Sequence, residues 1–107
     1  MAQPYNRNIL LRDSQCGGWW GAECKRAGFD AVVIRGAAEH PVYLWLHEGE
    51  AELRDARHLW GQCTVDAQDA LRAELGDDKV RLAGIGPAGE NLVRFAAIAG
   101  DYGHVAS

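Results

Sequence analysis

The chain has 107 residues, 48% of them hydrophobic and 24% charged, which provides for one compact domain, residues 1–107, with one core. Its 11 basic and 15 acidic residues give a formal net charge of -4, which argues against nucleic acid as a partner because phosphate binding needs a basic face. We recognise no signal peptide and no apolar run near the roughly 18 residues of a membrane span, so we predict a cytoplasmic protein without membrane contact.

The first third of the chain predicts a strand, a helix and a second strand. Residues 7–12 (RNILLR) form a short apolar run bounded by polar residues, which favours a strand. From Trp19 to Ala27, apolar positions recur at helical spacing, and Gly28 fits the position just past a helix end. The β-branched run 31–35 (AVVIR) predicts an interior strand.

The middle of the chain predicts a β-hairpin. Residues 42–47 alternate between two apolar-leaning faces, and Glu48-Gly49 supplies a tight turn. Residues 50–54 continue the pattern, with Ala51 and Leu53 predicted to point inward.

A second helix and two more strands are predicted after the hairpin. Thr64 is the predicted N-cap of a helix that runs to Leu75 and ends at Gly76. Strands are predicted at 79–85 and, fully buried, at 92–99, and the tail from 100 to 107 is predicted to fray. The fold class is therefore α+β, with a mixed, largely antiparallel sheet of about five or six strands flanked by two helices.

The segment Gly84 to Gly89 matches the G-x-G-x-x-G pattern of dinucleotide-binding loops. We reject that function because the fingerprint needs a helix opening at the loop and an acidic residue about 20 residues further on. Here the following segment is predicted as a strand, and the pattern is typical of a glycine-rich turn between strands.

The segment Asp13-Ser14-Gln15-Cys16-Gly17-Gly18, directly before the first helix, is the candidate binding loop. A helix N-terminus exposes unpaired amides, and glycines let an anion approach the backbone closely. Phosphate binding and ordinary helix capping by Ser14 or Asp13 both remain open from the pattern alone. Cysteine and histidine spacings predict no metal site, and no nucleophile with a nearby base predicts a catalytic residue.

Several ordered sequence blocks make the chain similar to a known family. The blocks are Gly17 to Glu23, Ala27 to Asp30, Pro41 to Leu44, Glu52 to Ala56, His58 to Gly61 and Ile85 to Ala96. Their order and spacing resemble the N-terminal, tungstopterin-binding domain of the tungsten-containing aldehyde ferredoxin oxidoreductases, and specifically its second half.

The resemblance implies a domain that binds tungsten or molybdenum through pterin dithiolenes in enzymes that oxidise aldehydes and reduce ferredoxin. The loop from Asp13 to Gly18 resembles the family's element that approaches the pterin phosphates and their magnesium. Gln15 and Cys16 depart from the usual asparagine and alanine. A second pterin-contacting loop would begin near residues 103–106.

The resemblance also implies what the chain does not do alone. One pterin loop cannot enclose a two-pterin cofactor, and without an iron-sulfur cluster electrons have no exit. We therefore expect a truncated or stand-alone relative that binds no tungstopterin, molybdopterin or Mg by itself and has no independent oxidoreductase activity. The alternative is a pterin- or phosphate-binding subunit of a split oxidoreductase. An exposed apolar sheet face predicts a homodimer, or a partner subunit that carries the missing domains.

Overall fold

The computed structural model describes residues 14–106. The strand predicted at 7–12 and Asp13 of the candidate loop lie outside this range. Within it the α+β class is confirmed, but the strands form two separate antiparallel sheets, of two and three strands, instead of one sheet of five or six. No helix in residues 14–106 has the length and apolar character to span a membrane.

The first helix, α1, spans Trp20–Arg26, close to its predicted bounds. Its end has the predicted glycine: Gly28 has a φ of 102°, which a residue without a Cβ adopts without strain. The Gly28 N–H donates to Lys25 O at 3.0 Å and the Phe29 N–H donates to Cys24 O at 3.1 Å. These two bonds form a Schellman motif and satisfy carbonyls that the helix end would leave unpaired.

The predicted hairpin is confirmed, with β1 at Val42–His47 and β2 at Glu50–Asp55 paired antiparallel. Glu48 and Gly49 both have positive φ, 48° and 80°, as a type I′ turn requires. The Gly49 N–H donates to Ala27 O at 2.6 Å. The hairpin turn is therefore tied to the end of α1.

A 3-10 turn at Arg57–Leu59 leads into the longest helix, α2, at Thr64–Leu75. Thr64 was predicted as the N-cap but is the first helical residue, and Cys63 takes the N-cap position. Gly76 ends α2 as predicted, in the left-handed conformation with a φ of 69°. A one-residue shift at a helix start is small because capping patterns fix helix ends only to within a residue or two.

The apolar core of the described residues is small. The buried apolar residues are Ala56, Leu59 and Leu71, with Tyr43, Ala70 and Leu82 packed against them.

The predicted inward face of the hairpin was wrong. Leu53 was predicted to point inward but is 68% exposed, because the opposite face of the hairpin, with Tyr43, packs on the core. The prediction for Ala51 was wrong for the same reason.

The second sheet joins three short strands in the order β3 (Ala83–Gly84), β4 (Ala99–Gly100) and β5 (His104–Val105). The strand predicted at 79–85 is thus reduced to two residues. The prediction of a frayed tail from residue 100 was wrong, because β5 pairs with β4.

Two strand predictions were wrong because apolar content alone does not supply a neighbouring strand. Residues 31–35 belong to no strand, and Val33 and Ile34 are 80% and 79% exposed. The segment 92–99, predicted as a buried strand, is irregular until Ala99, with Leu92 88% and Phe95 95% exposed. A strand is defined by ladder hydrogen bonds to a partner, which β-propensity does not provide.

The glycine-rich segment Gly84 to Gly89 is not a plain turn between strands. It opens a single helical turn, α3, at Pro87–Glu90, with proline at its first position. Glu90 accepts the Gly61 N–H at 3.0 Å with both carboxylate oxygens. The segment thus connects β3 to the 3-10 region, and four helical residues are too few for a dinucleotide-binding unit.

Candidate functional site

The described part of the predicted binding loop, Ser14 to Gly18, is exposed and irregular and leads directly into α1. The N-cap of α1 is Trp19, and its side chain makes no cap hydrogen bond. Ser14 is therefore not the N-cap residue, and Asp13, the other candidate cap, lies outside the described residues. The backbone of the loop faces solvent just before a helix start, where a ligand can reach its amides.

The loop is held by a turn from the other end of the chain. Asp101 accepts the Trp19 N–H through Oδ2 at 2.8 Å, across 82 positions of sequence. Gly18 has a φ of 99°, and a Cβ there would lie 2.9 Å from His104 Cγ and Cδ2 and 3.0 Å from Asp101 Oδ2. At Gly17, by contrast, a Cβ would meet only His104 Nδ1, at 4.0 Å. Gly18 is therefore the point of close contact, and Gly17 lies open beside it.

The turn that holds the loop is itself anchored on α2. Asp101 and Tyr102 have positive φ values of 46° and 64°, an uncommon conformation for residues with a Cβ. The Tyr102 N–H donates to Gln68 Oε1 at 3.2 Å, and the Tyr102 hydroxyl donates to Asp69 Oδ1 at 2.6 Å. Gln68 is 4% exposed, so the turn is fixed to a buried group of the longest helix.

Two charged side chains lie where the loop meets the turn. They are Arg81, beside the Trp19 ring, and Asp101. The Arg81 guanidinium lies 5.6 Å from the centre of the Trp19 ring, within cation-π range. Asp101 Oδ1 is buried and has no hydrogen-bond partner within residues 14–106. The negative charge of Asp101 would repel a bare anion bound at the loop. A cation bound together with the anion would offset this repulsion.

Tyr102 stays a neutral donor at this junction. Its hydrogen bond to the Asp69 carboxylate raises the pKa of the phenol above its ordinary value, because ionisation would break the bond and place two negative charges together. Arg72 lies 4.6 Å from the centre of the Tyr102 ring. The anchor of the turn is therefore unaffected by titration near neutral pH.

The sequence identified one side of this site and missed the other. Asp101 and His104 were placed in a tail predicted to fray, although Asp-Tyr-Gly at 101–103 has the composition of a turn and could have indicated one. Of residues 103–106, where the resemblance places the start of a second pterin-contacting loop, His104 lies against Gly18. Among residues 14–106 no cluster of three or more histidine, cysteine or acidic side chains could hold a metal ion.

Comparisons with known proteins give the family of the chain. The family model described as aldehyde ferredoxin oxidoreductase, N-terminal domain, matches residues 4–107. The tungsten-containing aldehyde ferredoxin oxidoreductase of Pyrococcus furiosus is 52% identical over 97% of this chain and 17% of its own length. That of Thermococcus kodakarensis is 50% identical over the same shares.

More distant relatives extend the comparison to other reactions. The aliphatic sulfonate oxidoreductase, WOR-like subunit, of Pyrococcus furiosus is 41% identical over 73% of this chain and 14% of its own length. In the solved structure of the active site complex BamBC of benzoyl coenzyme A reductase, one chain matches with a TM-score of 0.82 and 35% identity. That match covers 87% of this chain and 14% of the BamBC chain.

The matched proteins are oxidoreductases, and this chain corresponds to a short segment of each of them. The chain belongs to the aldehyde ferredoxin oxidoreductase N-terminal domain family. It spans 14–17% of the length of the relatives it matches.

Proposed function

We propose that this chain is a truncated or stand-alone relative of the tungstopterin-binding domain. In this role it contributes the loop Asp13 to Gly18 to a cofactor site and has no oxidoreductase activity by itself. The observation that carries the proposal is the built support of the loop: Asp101 and His104 fix Trp19 and Gly18 from a turn anchored on α2. This support comes from residues more than 80 positions away in the sequence.

The residues present fit the phosphate end of such a cofactor. The exposed backbone before α1 offers N–H donors, and Gly17 leaves room beside them. Asp101 Oδ1, which no other described residue pairs with, fits a phosphate that carries magnesium better than a bare phosphate, because the cation offsets the charge of the carboxylate. When bound, a tungsten or molybdenum pterin would supply the redox chemistry, and the residues of this chain would bind and orient it.

The remainder of the site would come from another polypeptide, as in a split oxidoreductase. The relatives carry this segment within much longer chains, and one is itself named as a subunit. A pterin- or phosphate-binding subunit is thus the alternative description of the same site. The homodimer expected from the sequence stays a prediction about which partner completes the fold.

Complementation of a relative tests the proposal. We define the trimmed relative as the Pyrococcus furiosus oxidoreductase from which the segment matching this chain has been deleted. Anaerobic assays would follow aldehyde-dependent reduction of a viologen dye by the chain, the trimmed relative and both together. We expect reduction only from the mixture. Reduction by the chain alone, or an inactive complex of the two, would contradict the proposal.

A further inference from the structure

One concave surface of the described residues exposes more large apolar side chains than the neighbouring core buries. A cavity of about 850 Å3 opens between α1, the hairpin and α2. Six large apolar side chains line it and are still 37–79% exposed. We call this surface the trough; it consists of Trp20, Val32, Ile34, Trp60, Ile85 and Ile98.

The exposure of the trough is unusual for a folded protein. Only three apolar residues of the described range form the buried core, and none of its large side chains is fully buried. Exposed apolar patches that are contiguous mark places where another molecule binds, because each Å2 removed from water contributes about 25 cal/mol. The trough therefore has the character of a binding surface whose partner is not in the structure.

The backbone beside the trough is suited to a polypeptide occupant. Residues 31–35 have the β-branched composition of a strand but belong to no ladder with any other residue of 14–106. Ala31, Val32 and Ile34 of this segment line the cavity, whereas Val33 does not. A segment of strand-like composition beside an apolar surface is suited to pairing with an added strand.

The charges at the trough argue against a membrane or a nucleic acid. Its charged neighbours are of both signs, Lys25 and Arg81 against Asp30 and Glu90, and Lys25 pairs with Asp30. The chain as a whole is acidic. Anionic lipids and nucleic acids require a basic surface, whereas mixed rim charges around an apolar centre are typical of protein interfaces.

We infer that the trough binds a partner polypeptide that carries the remainder of the oxidoreductase, with an apolar strand of the partner added along residues 31–35. This inference rests on the proposed function and names its partner. The comparisons favour this occupant over a second copy, because this segment is 52% identical to one that makes up 17% of the Pyrococcus furiosus relative. In that relative the other 83% of the chain is available to cover the corresponding surface.

Binding of the trimmed relative tests the trough without any need for cofactor or activity. Light scattering after size exclusion would report a 1:1 complex with the full chain, and titration would give its Kd. Ile34→Asp places a charge in the trough, and we expect it to weaken binding at least ten-fold. Val33→Asp is the matched control, because Val33 is equally exposed but faces away from the trough; we expect less than a two-fold change.

Each other outcome overturns the inference in a recognisable way. Equal loss from both variants, or no complex at all, would mean that the trough does not bind this partner. A homodimer of the chain that Ile34→Asp dissociates would assign the trough to a second copy. Strong protection of 31–35 from hydrogen exchange in the isolated monomer would assign it to a segment of the same chain. A trough-dependent complex that lacks tungsten would leave the interface standing and contradict only the proposed cofactor function.

Discussion

At the scale of single residues, two adjacent glycines have different roles. Gly18 is in a left-handed conformation, and a Cβ there would be under 3.0 Å from His104. Gly18→Ala should therefore lower the free energy of unfolding by about 1–3 kcal/mol through backbone strain and steric conflict. Gly17→Ala is the control, with a change within about 0.5 kcal/mol. Urea unfolding of both variants would measure the difference, and equal effects would refute the close packing at Gly18.

Asp101 is the residue that fixes the start of α1. Asp101→Ala removes the acceptor of the Trp19 N–H, and a hydrogen bond to a charged group contributes about 1.5–3 kcal/mol. We expect hydrogen exchange of the Trp19 amide to accelerate about ten-fold or more. Asp101→Asn keeps an oxygen acceptor and should recover most of the protection. Unchanged exchange in Asp101→Ala would show that the turn does not hold the loop.

At the scale of elements, the junction after β2 has its own pH dependence. Asp55 accepts the Arg57 backbone N–H at 3.0 Å and pairs with the Arg57 guanidinium. The side-chain hydrogen bonds of Arg57 lower the pKa of Asp55 from 3.8 to about 2. Because the folded state holds the carboxylate charged, its stabilisation is complete above about pH 5 and is lost as the pH falls through 3.8 and toward 2.

The variant Asp55→Asn measures this contribution. Above about pH 5 its Tm should lie below that of the wild type, and the difference should shrink steadily between about pH 5 and pH 2. Thermal unfolding followed by circular dichroism across this range would show the convergence. A difference that stayed constant to pH 2 would mean that the ion pair does not lower the pKa.

The sequence predicted the elements whose ends are fixed by local chemistry. Gly28 and Gly76 mark the ends of α1 and α2 because a left-handed residue follows a helix, and Glu48-Gly49 marks the hairpin turn for a similar reason. The strand predictions at 31–35 and 92–99 were wrong, because a strand forms only when it pairs with another strand that is distant in the sequence. The candidate loop was located by glycine content, but its partner Asp101 lies 82 residues from Trp19, beyond any local pattern.

At the scale of the whole molecule, the open trough gives a simple optical prediction. The dye ANS binds accessible apolar surface, so the isolated chain should enhance its fluorescence. Ile34→Asp should lower the enhancement, and the trimmed relative should displace the dye. Enhancement that persists in the complex would show that the dye binds elsewhere, for example beside the exposed Phe95.

The central claim, that this chain contributes a cofactor loop but does not hold the cofactor alone, is tested most directly by metal content. Elemental mass spectrometry for tungsten, molybdenum and magnesium, with pterin fluorescence, would be applied to protein purified anaerobically from cells shown to make the cofactor. Gly17→Glu adds a negative charge at the open side of the loop, and Ala38→Glu adds the same charge at an exposed position outside it.

We predict near-stoichiometric metal and pterin in the complex with the trimmed relative, little in the isolated chain, a marked loss in Gly17→Glu and none in Ala38→Glu. A complex that contains no metal or pterin, or one whose content is the same in both variants, would contradict the claim that this loop binds the cofactor.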